Sequence, residues 1–405
     1  MPQPQNKSPL TVYLDSSDYS RFGDVIRGKS DNQTEITYNK LIEFRSNGDV
    51  RFAYSLPIIS ELFQFDPEFP ATTESKAEAV EKLCGENAFF WPWRSLAFDI
   101  SMRWYQDANS NSQRKPISVD SQWYPNISEE VGDLKKTLES HLSVELRNQE
   151  LVNRKKRRSA EANVRKFDFT QISPPLIEEI SQRYQLNPLE VRRSILPTLR
   201  GSISSAEGAR RMFSAVAKPT AFVRSYFRED NEDQGLPNWV SDLGARIQIS
   251  LLNLRSNLDL IDQEEVRRES PKLVISSSIE IMRVIFRSAL KECDEFGLSE
   301  DEFFCREKDI DYIESIDSFY LFMHAYRRTV EQSIGLHGSG HGPEKSAGGD
   351  LLHLLYLPHC DLWRGDRRFC NVIANVASPS VHAVVNKLSH LPDRIKQQLT
   401  ASNER

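Results

Sequence analysis

Asp350 opens a short helical stretch in GGDLLHLLYLPHCDLWRGDRRFCN (348–371), and Asp366 stands in the turn after the brief strand that follows it. Near the other end of the chain, TVYLDSSDYS carries four strand-like residues, Thr11 to Leu14, into Asp15 and a cluster of small polar residues. Between them, Glu61 follows a second strand-like run in VRFAYSLPIISELF. Carboxylates at strand ends and helix starts are delivered to fixed points by rigid elements. Several of them converging, with little positive charge between, would make an oxygen-rich site for a hard divalent ion such as Mg2+ or Mn2+. A pair of such ions suits phosphodiester hydrolysis: one lowers the pKa of a water towards neutrality, the other stabilises the leaving oxygen. In open parallel sheets, sites of this kind lie beyond the carboxyl ends of the strands. Asp15 after TVYL and Asp366 after CDLW fit that place. The ordinary role of an Asp at such positions is to cap a helix or form a turn, so the four acids carry this reading only together.

The elements that must position them form an interrupted α/β pattern. Thr11 to Leu14 reads as a buried strand, Asn39 to Arg45 as a helix, and Val50 to Tyr54 as a second strand. Leu56 to Phe65 is the helix that would carry Glu61 on its first turns, and Lys76 to Leu83 is a further helix. Gln106 to Tyr124, rich in Asn, Ser and Gln, reads as a linker or loop. From about Ser128 to Phe322 helical patterns dominate, with candidates at 128–163, 176–184, 205–227, 241–258, 271–296 and 310–332. After the glycine-rich 334–349, the α/β pattern returns: helix 350–356, strand 360–363, helix 367–374, a last strand within 378–385, and a terminal helix 391–399. Either end alone has too few strands to close a core. The division expected is therefore an α/β domain in two parts, 9–105 and 334–400, around an all-α insertion, 106–333.

With these residues in place the chain resembles the PIN-like nucleases, small doubly wound domains with an acidic two-metal site. The likeness rests on the opening strand ending in Asp15, Glu61 after the second strand, the late helix beginning with Asp350, and the strand and turn bearing Asp366. The resemblance implies a three-layer domain with a parallel central sheet, and Mg2+ or Mn2+ dependent endonuclease activity, on RNA more than DNA. It implies Asp15, Glu61, Asp350 and Asp366 as ligands, with Asp361, at the start of the late strand, as a further ligand or outer partner and Asp18 as a weaker addition. Cleavage by a metal-activated water would leave 5′-phosphate and 3′-hydroxyl ends. The family also points to a toxin or phage-defence effector, with the helical insertion binding a regulatory protein or a second copy. The competing expectation is a catalytically inactive PIN-like domain that binds nucleic acid or acts as a scaffold.

Other features narrow the field. The formal charge of −6 argues against a protein that coats nucleic acid by bulk electrostatics. The basic run Arg154 to Arg158, with Arg165 and Lys166, is either a solvated face or a phosphate-tracking strip. Arg21, Lys40, Arg364, Arg367 and Arg368 divide between phosphate contacts and surface solvation in the same way. The aromatic run 88–104 is core packing in its ordinary reading and a base-stacking platform, through Trp91, Trp93 or Trp104, in its sharper one. His337, His341, His353 and His359, with Cys360, are weighed as a zinc site, although the glycines between the first two oppose a helix there. His353 follows Asp350 by one helical turn and could reach a phosphate or a metal's water, or simply be a packed, hydrogen-bonded histidine. No Walker, G-x-S-x-G or G-x-G-x-x-G motif occurs. Five dispersed cysteines suit a reducing cytoplasm, and no run of the sequence approaches the length of a membrane span.

Overall fold

In the computed structural model the described residues are 8–62, 70–106, 115–124, 178, 188–226, 263–299, 309–333 and 347–403. The expected helices 128–163 and 241–258, most of 176–184, the basic run 154–158 with Arg165 and Lys166, and the glycine-rich 334–346 with His337 and His341 lie outside them. The chain divides into two compact units, one of residues 1–124 and 232–405, the other of 125–231.

The first unit is built on a parallel sheet. β1 (Leu10–Tyr13) buries Thr11, Val12 and Tyr13, and the polar DSS sequence that follows ends it and starts α1 (Ser16–Ile26). α2 (Asn32–Ser46) is capped by Asp31, whose carboxylate accepts the Thr34 N–H. Gly48, at φ +77°, then turns the chain into β2 (Val50–Phe52). α3 (Leu56–Leu62) and α4 (Pro70–Cys84) follow. Next come a two-residue strand β3 (Ala88–Phe89), α5 (Pro92–Gln106) and β4 (Ile117–Ser118). β5 (Leu362–Arg364), α13 (Arg367–Ile373), β6 (Val384–Val385) and α14 (Leu391–Asn403) close the unit; α9 to α12 are given below.

Strand order is β2-β1-β5-β6, every pair parallel. Val12 is level with Leu362 and Tyr13 with Trp363, so the two chain ends share the middle of one sheet. This bears out the expected parallel α/β sheet from both termini. Several details differ. The last strand is two residues long because Pro379–Ala383 forms a 3-10 turn first. Part of the expected linker is ordered: β4 pairs antiparallel with β3, and Trp123 is fully buried. A single bridge between Tyr54 and Ala88 continues β2 beside that hairpin.

α9 (Gln263–Leu290), α10 (Ile310–Glu314), α11 (Asp317–Ser333) and α12 (Ala347–Leu354) belong to the same unit. α9 packs on α5 and α11, and α11 on α12 and α13. α9 starts upstream of the expected Pro271 and ends in a 3-10 turn closed by Gly297 at φ +77°. Within the aromatic run Phe89, Trp91 and Phe98 are buried, while Trp93 and Trp104 are half-buried. Among the described residues no helix is long and apolar enough to cross a membrane.

In the second unit α6 (Pro188–Leu199), α7 (Ser205–Val216) and α8 (Pro219–Tyr226) are described. Pro219 divides the single helix expected over 205–227. A Cβ on Gly208 would fall 1.9 Å from Thr198 Oγ1, so α6 and α7 pack at a distance that only glycine permits.

Candidate metal centre

From β1 the chain runs out to β2 on one side and returns as β5 on the other, which makes the β1/β5 boundary the point where winding reverses. In a parallel sheet the carboxyl ends of the strands open into a crevice at that boundary. Asp15 follows β1 there, and Asp366 follows β5. Helices α3 and α12 pack together and add Glu61, Asp350 and His353. Glu61 lies on the second turn of α3, the helix expected to carry it. The approach of the two helices is close: a Cβ on Gly349 would lie 2.7 Å from Glu61 Oε1.

One donor atom each from Asp15, Glu61 and His353 falls within 4.8 Å of the other two. His353 is 3 % exposed. Its Nδ1 lies 2.6 Å from the Tyr13 hydroxyl, which is itself 2.6 Å from Ser55 Oγ. Its Nε2 lies 3.0 Å from Glu61 Oε1, an ion-pair contact without well-aligned hydrogen-bond geometry. Ser16 Oγ donates to Glu61 Oε2 at 2.5 Å, and Ser17 Oγ to Asp15 Oδ2. Asp15 occupies the N-cap of α1 without making a side-chain cap bond, which leaves it for other work.

These groups perturb one another's charge. Burial pushes the Asp350 carboxyl up to about 7; Glu61, Asp15 and Asp366 add to that and His353 opposes it. Burial disfavours the His353 cation, yet Glu61 outweighs it and holds the imidazole up at about 9. Burial likewise works against Glu61 ionising, and His353 with Ser16 brings its pKa below the usual range.

The remaining candidates are placed differently. Asp366 is exposed and caps α13, its Oδ1 accepting the backbone N–H of Arg368 at 2.8 Å and of Phe369 at 3.4 Å. Asp361 is not brought to the cluster, because it precedes β5 while Asp366 follows it. Its Oδ2 accepts the Thr11 N–H at 2.7 Å and the Lys115 ammonium at 2.8 Å, joining β1 to β5 at the start of the strands. Asp361→Ala is expected to cost about 1–3 kcal/mol in urea unfolding by stripping the Thr11 N–H of its partner. Divalent-metal affinity, followed by calorimetry, should not change.

Asp18 is fully buried, 3.4 Å from NH2 of Arg364, itself 5 % exposed, so Arg364 is no phosphate contact at the surface. Neither carboxylate oxygen of Asp18 has an aligned hydrogen bond, and burial outweighs Arg364 to raise its pKa to about 7. A carboxyl with a raised folded pKa binds its proton more tightly folded than unfolded. Its stabilising contribution is full below the unfolded value of about 3.9 and is lost as pH rises through about 7. Asp18→Asn should therefore lose less in Tm than the parent between pH 5 and 8; equal slopes would mean that Asp18 ionises normally.

His359 pairs instead with Asp99, Nε2 to Oδ1 at 3.0 Å, and takes no part in a cluster with His353. Sequence reasoning did not find Tyr13 and Ser55, since a buried tyrosine in a strand and a serine after one carry no signal of a shared imidazole.

No family model, curated protein or solved structure matches the chain. Function has to be read from the side chains themselves. Hard carboxylate oxygens gathered around one buried imidazole nitrogen fit a divalent cation, and the nitrogen without an aligned hydrogen bond is the feature a packed, satisfied cluster would lack.

Proposed function

We propose that the chain is a divalent-metal-dependent endonuclease of the PIN-like kind, acting on RNA, with its three-layer catalytic domain assembled from both ends. The observation that carries it is the meeting of Asp15, Glu61 and His353, with Asp350 beside them, at the carboxyl ends of β1 and β5. Asp15, Glu61 and Asp350 would hold Mg2+ or Mn2+, with Asp366 at the rim. A divalent ion there supplies an acidified water and a counter-charge to a phosphodiester. Ser16 holds Glu61 in place, Gly349 leaves room for its carboxylate, and Ser17 orients Asp15. Exposed Arg21 and Arg367 would guide the polyanion. The choice of RNA, and a role as a toxin or phage-defence effector, rest on the sequence resemblance.

Incubating the purified protein with single-stranded RNA and Mn2+, with chelator as control, tests the reading. The expected result is metal-dependent internal cleavage with 5′-phosphate ends; no cleavage with any divalent ion would remove it. The second reading, an inactive nucleic-acid-binding or scaffolding domain, is favoured by one contact. His353 already sets a cationic ring 3.0 Å from Glu61, where a metal's charge would go.

A further inference from the structure

The geometry points to His353 as a direct nitrogen ligand in this centre, one that makes it select Mn2+, and still more the borderline ions Fe2+, Co2+ and Zn2+, over Mg2+. The inference rests on the reading of Asp15 and Glu61 as metal ligands and adds a nitrogen donor to an otherwise all-oxygen set. Three observations carry it. His353 Nε2 is buried, faces the carboxylates, and has no aligned hydrogen bond. Its separation from Glu61 Oε1, 3.0 Å, is the edge of an octahedral shell with bonds of about 2.1 Å. The ring is also gripped from behind at Nδ1 by Tyr13, at 2.6 Å.

That rear contact occupies Nδ1 and leaves Nε2 as the nitrogen turned towards the carboxylates. With Nδ1–H donating to the Tyr13 oxygen, and the Tyr13 hydroxyl donating to Ser55 Oγ, Nε2 faces Glu61 and Asp15 and would release its proton to water on taking a metal. Metal-bound histidines are held in the same manner, through a hydrogen bond on the nitrogen that does not bind. All three donor separations lie within 4.8 Å, against a diameter of roughly 4.2 Å for such a shell, so small side-chain rotations suffice. Imidazole adds little to Mg2+ affinity and much to that of the later first-row ions.

Pulsed electron paramagnetic resonance on the 405-residue chain, tag-free and loaded with Mn2+, tests this without reference to cleavage. The expected spectrum shows hyperfine coupling to a coordinated imidazole nitrogen, lost in His353→Gln, with Mn2+ affinity down by on the order of tenfold and Zn2+ displacing Mn2+ where excess Mg2+ does not. Mn2+ bound without nitrogen coupling overturns the inference and leaves the carboxylate site standing. No Mn2+ binding overturns both. Nitrogen coupling without RNA cleavage supports the ligand and counts against the nuclease. If His353→Gln does not fold, the parent spectrum still decides, and Tyr13→Phe, which keeps the ring, should weaken Mn2+ about tenfold.

Discussion

Asp15→Asn should lower Mn2+-dependent cleavage of single-stranded RNA by on the order of 10³-fold, the loss expected when a metal-holding charge worth several kcal/mol is removed. The substitution is informative because little else depends on this carboxylate. It makes no cap bond to α1, and among the bonds it does make is one from the neighbouring Ser17 hydroxyl, which an amide oxygen also accepts. Stability should stay within about 0.5 kcal/mol of the parent, so a lost rate cannot be blamed on unfolding. Asp350→Asn should act alike on cleavage, since Asp350 shares the field of Glu61, Asp15 and Asp366. Initial rates of both variants beside the parent, with Tm as the folding control, make the measurement. Equal rates in all three would detach the activity from this centre.

The largest effect on folding is expected from Trp363→Ala, at about 3–5 kcal/mol. Trp363 is 1 % exposed and stacks on Tyr13, with ring centroids 6.4 Å apart and planes 2° from parallel. It also packs against Phe369, and its indole N–H donates to the His353 carbonyl at 3.3 Å. Its ring lies 2.2 Å from where a Cβ on Gly365 would fall, so the turn after β5 is shaped around it. Removing the indole opens a cavity between β1, β5 and α12, the three elements that place Asp15, Asp366 and His353. Thermal unfolding should show a drop of roughly 10 °C. Trp363→Phe should recover most of it, and a loss under about 1 kcal/mol for the alanine variant would contradict this packing.

Some of this was legible without coordinates. Buried strands ending in Asp15 and before Asp366 show as short apolar runs stopped by turn formers, and a parallel sheet follows from their alternation with helices. Asp366 is a helix cap in the structure, the ordinary role for an Asp at a helix start. Asp361 was misleading for a local reason. It sits next to a strand as a ligand would, but at the end where the strands begin, and only the pairing with Thr11 and Lys115 reveals which end that is. The short strands β3 and β4 escaped notice because two-residue pairings leave no periodicity to read.

By itself the sequence determined which residues are acidic, which segments are stiff, and that the termini carry matching α/β patterns. Those properties are local, set by side-chain chemistry and by periodicities a few residues long. Only the tertiary structure decided that Glu61 meets His353 rather than solvent, that Tyr13 holds the imidazole from behind, and that Asp18 is spent on Arg364. These pairings join positions far apart in the chain, and burial sets their strength. Desolvation and distance, the two terms that fix a charge's energy, exist only once the sheet has closed.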